Sequence, residues 1–404
     1  MDMYLTHVCL WTTLLSVVVT WAISHVSNRR KKTTKLTDTT AGQEIRYGGP
    51  DVIIVGAGVG GSALAYALAK DGRRVHVIER DMTEPVRMMG EFMQPGGRLM
   101  LAKLGLQDCL EEIDAQKSTC LSLYKDGKKA VVPFPVKDNN FPYEPTGRTF
   151  HNGRFVQRLR QKASSLPNVR LEEGTVKSLI EEKGVIKGVT YKNSSGEETT
   201  AFAPLTVVCD GCFSNLRLLA VHNKVEVLSY FVGYVTKNTR LEDPHSMHLI
   251  FSKPLPCVVY QITSNEVRCA AEVPADSIPS IANGEMVNFL KKTVAPRYIP
   301  DGNLRETFLK GVEEGLLEIK TTATKSMSAK QCDKKGVIVL GDAFNMRHPI
   351  IASGMMVALS DVLILRNLLR PVPSFSNTKK VLELVKSFYI IRKPMSATVN
   401  TLAH

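Results

Sequence analysis

A glycine-rich turn directly after an apolar run is the feature that most constrains this fold. Gly56, Gly58 and Gly61 fit the spacing G-x-G-x-x-G after the run Asp51-Val-Ile-Ile-Val55, and residues 62–70 continue as an alanine-rich helical pattern. Gly56 permits a tight turn, Gly58 lets a pyrophosphate approach the backbone, and Gly61 allows the helix to pack on the strand. The helix amino end then faces the phosphates. The segment predicts a strand, turn and helix that bind a dinucleotide.

An acidic residue at the end of the next apolar run narrows the ligand. Glu79 ends Val75-His-Val-Ile-Glu79, at about the 20-residue spacing from the turn that suits a carboxylate accepting from ribose hydroxyls. A 2′-phosphate beside this carboxylate would bring like charges together, which favours FAD or NAD over NADP. The alternative, in which the glycines only make a tight turn in an α/β protein, stays open at this point.

The first residues predict a membrane anchor. Residues 8–26 are almost all apolar or small and are followed by the basic stretch 29–32, and about 20 such residues cross a bilayer as a helix. No Lys or Arg precedes the run, whereas a secretory signal has basic residues before its apolar core. We therefore expect an uncleaved single-pass anchor with the catalytic part in the cytosol. A cleaved signal peptide is the alternative.

Charge and cysteine content limit the partners. The 404 residues carry a net charge of +13, from 52 basic and 39 acidic residues, without a compact arginine-rich run. This pattern favours anionic membrane lipid as a partner and excludes a nucleic-acid-binding protein. The eight cysteines are scattered, and a cytosolic location predicts free thiols. Cys209 and Cys212 form a C-x-x-C without a second ligand pair at zinc spacing, so we expect no metal.

The order of apolar patterns predicts an α/β fold. Runs with strand character at residues 121–124, 130–134 and 225–272 interrupt the strand-and-helix pattern, which resumes with a strand ending at Gly341-Asp342 and a helix over residues 355–369. We predict a doubly wound, Rossmann-like domain that binds the dinucleotide, with a second lobe formed by a β-sheet. The expected divisions are a membrane anchor (1–27), a basic and polar linker (28–48), a first FAD-binding segment (49–220), a β-sheet substrate lobe (221–325) and a second FAD-binding segment with C-terminal helices (326–404).

Three separated signatures carry a family resemblance. The glycine turn with Glu79, the strand and loop of residues 206–217, and the Gly341-Asp342 strand end together resemble the FAD-dependent aromatic-hydroxylase-like monooxygenases. The segments Gly90-Glu-Phe-Met-Gln-Pro-Gly-Gly97, His151-Asn-Gly-Arg-Phe155 and Asn345-Met-Arg-His-Pro349 are similar to the squalene monooxygenase (squalene epoxidase) family of plant type. The resemblance runs from about Gly49 to the last residue.

The resemblance implies an activity and its partners. Members of that family use FAD and O2 to convert squalene to its 2,3-epoxide through a flavin C4a-hydroperoxide, on the endoplasmic reticulum membrane. The cofactor performs the difficult step, so no side-chain nucleophile is required. Only one dinucleotide turn is present, and we therefore expect electrons from a separate NADPH-cytochrome P450 reductase.

The resemblance also implies the residues that contact FAD. Carried over by position, they are Val59, Gly60, Glu79, Arg80, Arg87, Phe92, Arg160, Val176, Asp342 and Met355. Asp342, at the end of a buried strand, can accept from ribityl hydroxyls or can instead cap the next helix. Arg87 and Arg160 can equally be solvated surface cations, and Asp210 with Arg217 can form a structural link.

Four departures from the family pattern lead to a further expectation. Leu121 replaces a tyrosine beside the flavin, although its usual partner Gln94, which can tune the flavin, remains. Residues 351–354 read Ile-Ala-Ser-Gly where the family has Thr-Gly-Gly-Gly, and Leu218 replaces the second of two arginines. The sequence ends at His404, whereas relatives usually continue through apolar helices. We expect weak squalene binding or slow turnover. The alternatives are a silent membrane-bound FAD protein, or a flavin monooxygenase acting on another isoprenoid lipid.

Overall fold

The computed structural model describes residues 49–135, 142–220, 224–251, 256–300, 302–313 and 319–403. The expected anchor and linker lie outside these residues. Within the described residues, no helix combines the length and apolar character needed to cross a bilayer.

Strands and helices alternate in the order expected from the sequence. The strands are β1 (Val52–Val55), β2 (Val75–Glu79), β3 (Phe92–Met93), β4 (Gln116–Ser118), β5 (Cys120–Lys125), β6 (Lys128–Pro133), β7 (Gly147–Thr149), β8 (Val169–Glu182), β9 (Val185–Asn193), β10 (Glu198–Phe202), β11 (Leu205–Val208), β12 (Glu226–Lys237), β13 (Ser246–Phe251), β14 (Cys257–Thr263), β15 (Glu266–Pro274), β16 (Lys320–Ser326) and β17 (Val337–Val339). The helices are α1 (Val59–Lys70), α2 (Pro95–Leu104), α3 (Asn152–Ser164), α4 (Leu216–Ala220), α5 (Glu285–Phe289), α6 (Ala295–Tyr298), α7 (Asn303–Glu313), α8 (Gly354–Leu369), α9 (Thr378–Ile391) and α10 (Lys393–Leu402).

The first sheet has the order β10-β9-β8-β2-β1-β11-β17. The five neighbouring strands β8, β2, β1, β11 and β17 run parallel to one another. Strands β9 and β10 extend the sheet beyond β8 as antiparallel strands. The chain proceeds from β1 outward through β2 to β8 and then returns to the other side of β1 with β11 and β17. This reversal of strand order beside β1 confirms the expected α/β fold, and ligands of such sheets bind at the strand ends near the reversal.

Helices cover the first sheet where the apolar pattern predicted them. The predicted helices at 62–70 and 355–369 are α1 and α8, which pack against each other. Ile53, Leu64 and Leu359 are fully buried in the same core as Phe388 of α9. The alanines of α1 allow its backbone to approach the sheet closely, and this proximity fixes the helix amino end at the edge where β1 ends.

The second sheet has the order β16-β12-β15-β14-β13-β5-β6, and all its pairs are antiparallel except β13 with β5. The predicted sheet over residues 225–272 is thus present. The range 49–220, expected to serve FAD binding, also contributes β5 and β6, since Leu121 pairs with Met247. Local patterns do not reveal a pairing between strands so distant in sequence. The domain boundaries themselves stay a prediction.

Strand β15 separates two apolar clusters. Val267, Cys269 and Ala271 pack on one face, in a core shared with α5 to α7, and Ala270 packs on the other. Successive side chains of a strand point to opposite faces. The face of Ala270 is the one that meets the candidate site.

Candidate active site

The carboxyl ends of β1, β11 and β17 meet at one edge of the first sheet. Gly56 has a φ of +97°, and a Cβ built there would lie 2.6 Å from the Cys209 carbonyl oxygen just after β11. A Cβ on Gly60 would lie 3.6 Å from the Leu340 side chain just after β17. The glycine turn therefore sits at the expected crevice of the sheet.

The glycines of the turn have different surroundings. A Cβ on Gly61 would lie 1.9 Å from the Gly56 carbonyl oxygen, so this position accepts only glycine. A Cβ on Gly58, the residue before α1, would have no atom within 4 Å. Space beside Gly58 and the amide groups of the helix amino end suit a diphosphate.

Glu79 and Arg160 hold the turn from the side. Glu79 Oε2 accepts from the Ala57 amide at 2.6 Å. Arg160 Nε donates to the Ala57 carbonyl oxygen at 2.9 Å, and its Nη2 lies 3.7 Å from Glu79 Oε2. Arg160 is only 4% exposed, so the surface alternative is wrong for this arginine, and burial lowers its pKa against the opposing effect of Glu79.

Asp342 lies just after β17, at the same edge of the first sheet. Burial raises the pKa of its carboxyl, while Arg87 and Arg347 oppose that rise. Arg87 itself is exposed, and its guanidinium acts on Asp342 through its charge. A ligand that carries both an anionic group and hydroxyls can therefore pair with Arg87 and donate to Asp342.

Asp210 and Arg217 do not form the expected link. Burial raises the pKa of Asp210, and Arg217 only moderates the rise. The Arg217 Nη1 atom donates to the Cys212 carbonyl oxygen at 3.2 Å instead, and the described residues contain no ion pair between the two. Burial also raises the pKa of the Cys209 and Cys212 thiols, which disfavours the thiolate forms.

The start of α8 completes the edge. Ser353 precedes this helix, and its buried Oγ lacks a hydrogen-bond partner among the residues that the structure describes, as does Asp210 Oδ1. Met355 is buried in the first turn. A small recess of about 10 Å³ lies here, with Gly341, Asp342, Arg347, Gly354, Asp361 and Arg392 in its lining.

The other expected contacts occupy the same edge at different depths. Val59 and Gly60 form the first turn of α1. Arg80 is exposed and directly follows Glu79 at the end of β2, which places it at the same edge. Val176 lies on β8, three residues beyond Glu173, the register partner of Glu79. It therefore stands past the strand ends, on the side of Glu79.

An apolar cluster of the second sheet adjoins this edge, and we call it the site cluster. Its buried members are Met88, Phe92, Phe231, Met247, Leu249, Val258, Tyr260, Ile262 and Ala270, and the half-buried Leu121, Ile350 and Ala352 pack against it. Phe92 and Leu121, expected near the flavin, thus share one environment with the loop before α8. A dry apolar surface of this kind suits an apolar substrate.

Gln94 joins two segments of the site. Its side-chain amide donates to the Ile351 carbonyl oxygen, so it contacts the loop before α8 rather than a tyrosine. Ala352 in that loop has a φ of +47°, a left-handed conformation that costs an alanine about 1 kcal/mol or more. The family glycine at this position avoids that cost.

Two buried charged contacts were not predicted from the sequence. Arg268 donates to Glu91 from Nε and Nη2, at 2.8 and 2.7 Å, and Tyr260 also donates to Glu91. His348 Nε2 lies 2.8 Å from Glu272 Oε1. Charged residues inside the otherwise apolar run of β15 were the available signal, because such residues are rarely buried without a partner.

The residues present fit a dinucleotide. Open backbone at Gly58, Gly341 and Gly354 leaves room that a side chain would fill, and Asp210 Oδ1 and Ser353 Oγ are buried without partners among the described groups. Buried polar atoms of this kind are uncommon and indicate an absent partner.

Comparisons with known proteins agree with this geometry. The family described as "Squalene epoxidase" matches residues 202–404, and the "NAD(P)-binding Rossmann-like domain" matches residues 54–83. Squalene epoxidase 4 of Arabidopsis thaliana is 72% identical over 399 residues, covering 99% of this chain and 77% of that protein. Squalene monooxygenase 1,1 of Brassica napus is 69% identical over 405 residues, covering 100% of this chain and 79% of that protein.

Solved structures share the fold at low sequence identity. PqsL, a probable FAD-dependent monooxygenase from Pseudomonas aeruginosa, has a TM-score of 0.72 and 18% identity, with 88% of this chain and 95% of that chain covered. The myxobacterial FAD-dependent halogenase CndH has a TM-score of 0.70 and 19% identity, with 87% and 81% covered. The sequence identities over nearly the whole chain establish that this protein belongs to the squalene epoxidase family.

Proposed function

We propose that this protein is an FAD-dependent monooxygenase that epoxidises squalene to (S)-2,3-oxidosqualene, with O2 as the oxygen source. One arrangement carries the proposal: the dinucleotide edge of the first sheet adjoins the apolar site cluster, through Phe92 on one side and Ile350 and Ala352 on the other. Squalene has no polar group, so a site that binds it requires apolar walls. Membership of the squalene epoxidase family favours this activity over the two alternatives, a silent membrane-bound FAD protein and a flavin monooxygenase acting on another isoprenoid lipid.

The residues of the chain bind and orient the reactants. FAD, when bound and reduced, supplies the activation of O2 and the electrophilic oxygen atom. The amides at the start of α1 would hold the diphosphate beside Gly58, and Asp342 would accept from cofactor hydroxyls. The site cluster excludes water from the reacting alkene. One oxygen atom enters the alkene and the other leaves as water, with two electrons from NADPH.

A product assay tests the activity. The full chain, purified in detergent, is supplied with FAD, squalene, NADPH, a reductase and ¹⁸O2, and we expect oxidosqualene that carries one ¹⁸O atom. A panel of other polyenes tests the isoprenoid alternative. Rescue of a sterol-requiring cell that lacks its epoxidase would exclude the silent alternative. Failure to rescue, together with normal FAD content and no labelled product, would overturn the proposal.

We further propose NADPH-cytochrome P450 reductase as the electron donor. The single glycine turn of the G-x-G-x-x-G kind supports this, because it leaves no second dinucleotide fingerprint for NADPH. Anaerobic bleaching of the flavin is measured with NADPH alone and with NADPH plus the reductase. We expect fast bleaching only with the reductase. Equal rates in both mixtures would contradict this donor.

A location on the endoplasmic reticulum membrane, with an N-terminal anchor, a cytosolic catalytic part and contact with membrane lipid, is also proposed. The apolar residues 8–26 and the basic residues after them support it. A fluorescent fusion should colocalise with a reticulum marker and resist alkaline extraction of microsomes. Protease added to intact microsomes should digest the catalytic part. Protection of that part would contradict the orientation.

A further inference from the structure

We propose that Arg268 and Glu272 are positioning residues that hold the two segments lining the candidate active site, each through one buried charged contact. The inference rests on the proposed function for the identity of the cofactor and extends it to how the site is held. Arg268, Ala270 and Glu272 alternate along β15 and share the face that carries the site cluster. A cation and an anion thus project from one strand toward two different segments.

Arg268 holds the segment of residues 90–94. Its Nε and Nη2 atoms donate to both carboxylate oxygens of Glu91 at 2.8 and 2.7 Å, and Tyr260 OH donates to Glu91 Oε2 at 2.9 Å. Burial disfavours the charge of Arg268, but Glu91 outweighs this effect and raises the pKa of the guanidinium. Phe92 directly follows Glu91 and Gln94 lies three residues beyond it, so this contact restricts their distance from the second sheet.

Two further hydrogen bonds, both to backbone carbonyl oxygens, hold the segment that contains Glu91. The Phe150 amide donates to the Glu91 carbonyl oxygen at 2.9 Å, and Asn152 Nδ2 donates to the Gly90 carbonyl oxygen at 2.8 Å. The segment is therefore held by α3 on one side and by β15 on the other. Movement of Arg268 would pass directly to Phe92.

Glu272 holds the loop before α8. Its Oε1 lies 2.8 Å from His348 Nε2 and accepts from Ser229, while His348 Nδ1 accepts from the Ile350 amide at 3.2 Å. The imidazole thus bridges β15 and the turn that leads to Ala352 and α8. Gln94 connects the two segments directly, because its side-chain amide donates to the Ile351 carbonyl oxygen in the loop before α8.

Stability alone gives little reason for charges at these positions. Replacing a buried ion pair with apolar side chains of similar volume is often neutral or stabilising, whereas removing one partner costs about 3–5 kcal/mol. A bidentate pair does, however, fix geometry in a way that apolar packing does not. Misplacement of reacting groups by about 1 Å can cost about 100-fold in rate. The bidentate Arg268–Glu91 pair therefore serves alignment of the cofactor with the site cluster, and Glu272 adds a single hydrogen bond to His348 that holds the loop before α8.

Arg268→Lys and Glu272→Gln test the inference, with Arg366→Lys as the matched control. Arg366 donates to both oxygens of Asp71 at 2.8 and 2.7 Å, but it lies about 18 Å along α8 from the site, at 1.5 Å per residue. Lysine keeps the charge and loses the two-pronged geometry. Three quantities are measured on the full chain: the visible circular dichroism of bound FAD, its Kd, and the share of O2 released as peroxide.

We expect both site variants to change the visible dichroism of FAD and to raise the peroxide share severalfold, with a rise in the Kd of FAD of about tenfold, or 1.4 kcal/mol. Arg366→Lys should lower the unfolding temperature and leave all three flavin quantities unchanged. If the site variants lower only the unfolding temperature, as the control does, the pairs are structural and the inference is wrong.

A milder variant covers the case in which a site variant does not fold. Tyr260→Phe removes one hydrogen bond to Glu91 and keeps the ring in the site cluster, so it should shift the dichroism in the same direction by a smaller amount. An unchanged spectrum would count against the inference. If the wild-type chain binds FAD and makes no oxidosqualene, the proposed function fails, while the dichroism and Kd still decide the role of Arg268 and Glu272.

Discussion

Arg160 Nε donates to the Ala57 carbonyl oxygen at 2.9 Å, and this bond ties α3 to the glycine turn. The same guanidinium donates from Nη1 to the Thr83 carbonyl oxygen at 3.1 Å and approaches Glu79. One buried cation thus connects the turn after β1 with the segment after β2. A single side chain therefore holds together the two segments that we propose to bind the diphosphate and the ribose of the cofactor.

Arg160→Lys should weaken FAD binding without unfolding the chain. Lysine keeps the charge, but its single nitrogen does not reach both carbonyl oxygens that Nε and Nη1 of Arg160 contact, and a lost hydrogen bond to a charged group costs about 1.5–3 kcal/mol. We expect the Kd of FAD, measured by flavin fluorescence quenching, to rise roughly tenfold or more. Arg158→Lys on the same helix is the control, because Arg158 pairs with the exposed Glu112. Equal Kd values for the two variants would refute the role of Arg160.

Gly58 and Gly61 should respond differently to alanine. Gly58 has open space at its Cβ position and a φ of −77°, so Gly58→Ala should leave the unfolding temperature of the FAD-free chain unchanged. The added methyl group should lower FAD affinity, because the pyrophosphate must approach this backbone closely. Gly61→Ala would place a Cβ 1.9 Å from a carbonyl oxygen and should prevent folding. Calorimetry and FAD titration separate the two effects, and tight FAD binding by Gly58→Ala would contradict the site.

Asp342→Asn should stabilise the FAD-free chain at neutral pH. Burial raises the pKa of this carboxyl above 3.8 in the folded state, so the folded state binds the proton more tightly than the unfolded state does. Its contribution to stability is fully present below pH 3.8 and is lost as pH rises through the folded-state pKa. Asparagine carries no charge, so the variant does not lose this stability as the pH rises to neutral.

The measurement for Asp342 is a comparison of two pH values. The advantage of the variant in unfolding temperature should be smallest as the pH falls to 3.8 and below, and larger at about pH 7.5. Other buried carboxyls with raised pKa, such as Asp361, are common to both proteins and cancel in the difference. An advantage that does not change with pH would show that charge is not its cause. FAD affinity should fall, since the amide is a poorer acceptor for cofactor hydroxyls.

The sequence predicted the features of the site that depend on local patterns. The glycine turn, Glu79 and the Gly341-Asp342 strand end each have a fixed place relative to their own strand. Parallel strands bring such ends to one edge, so the crevice followed from topology alone. The apolar runs likewise predicted α1, α8 and the second sheet.

The remaining features depend on contacts between segments far apart in sequence. No periodicity indicates that Arg268 meets Glu91, or that β5 joins β13, since these pairs are separated by more than a hundred residues. The burial of Arg160 was equally invisible, because an arginine on a polar helix is usually solvated. Tertiary packing decides such positions.

Leu121→Tyr should raise the rate of oxidosqualene formation. The half-buried Leu121 packs against the site cluster, where the family has a tyrosine, and a new hydroxyl there can donate a tuning hydrogen bond. One such bond contributes about 1 kcal/mol, which corresponds to roughly a fivefold change in rate. Leu121→Phe is the matched control, since it adds the ring without the hydroxyl. An equal gain in both variants would assign the effect to packing.

Ala352→Gly should stabilise the chain by relieving backbone strain. Ala352 holds a φ of +47° and a ψ of +36° at the end of the turn Pro349–Ile351. The left-handed conformation costs an alanine about 1–2 kcal/mol. Glycine avoids this cost, but its more flexible unfolded chain lowers the free energy of unfolding by about 0.4–1 kcal/mol. The difference predicts a gain of about 0.5–1 kcal/mol in the free energy of unfolding.

Chemical denaturation measures this gain, with Ala102→Gly as the control. Ala102 lies inside α2, where glycine costs about 1 kcal/mol, so the same exchange should act with opposite sign at the two positions. Loss of stability in both variants would mean that the loop before α8 is not strained. A gain at position 352 would instead show that this chain keeps a strained alanine beside its cofactor site, held in place by the hydrogen bonds of Gln94 and His348 to the same loop.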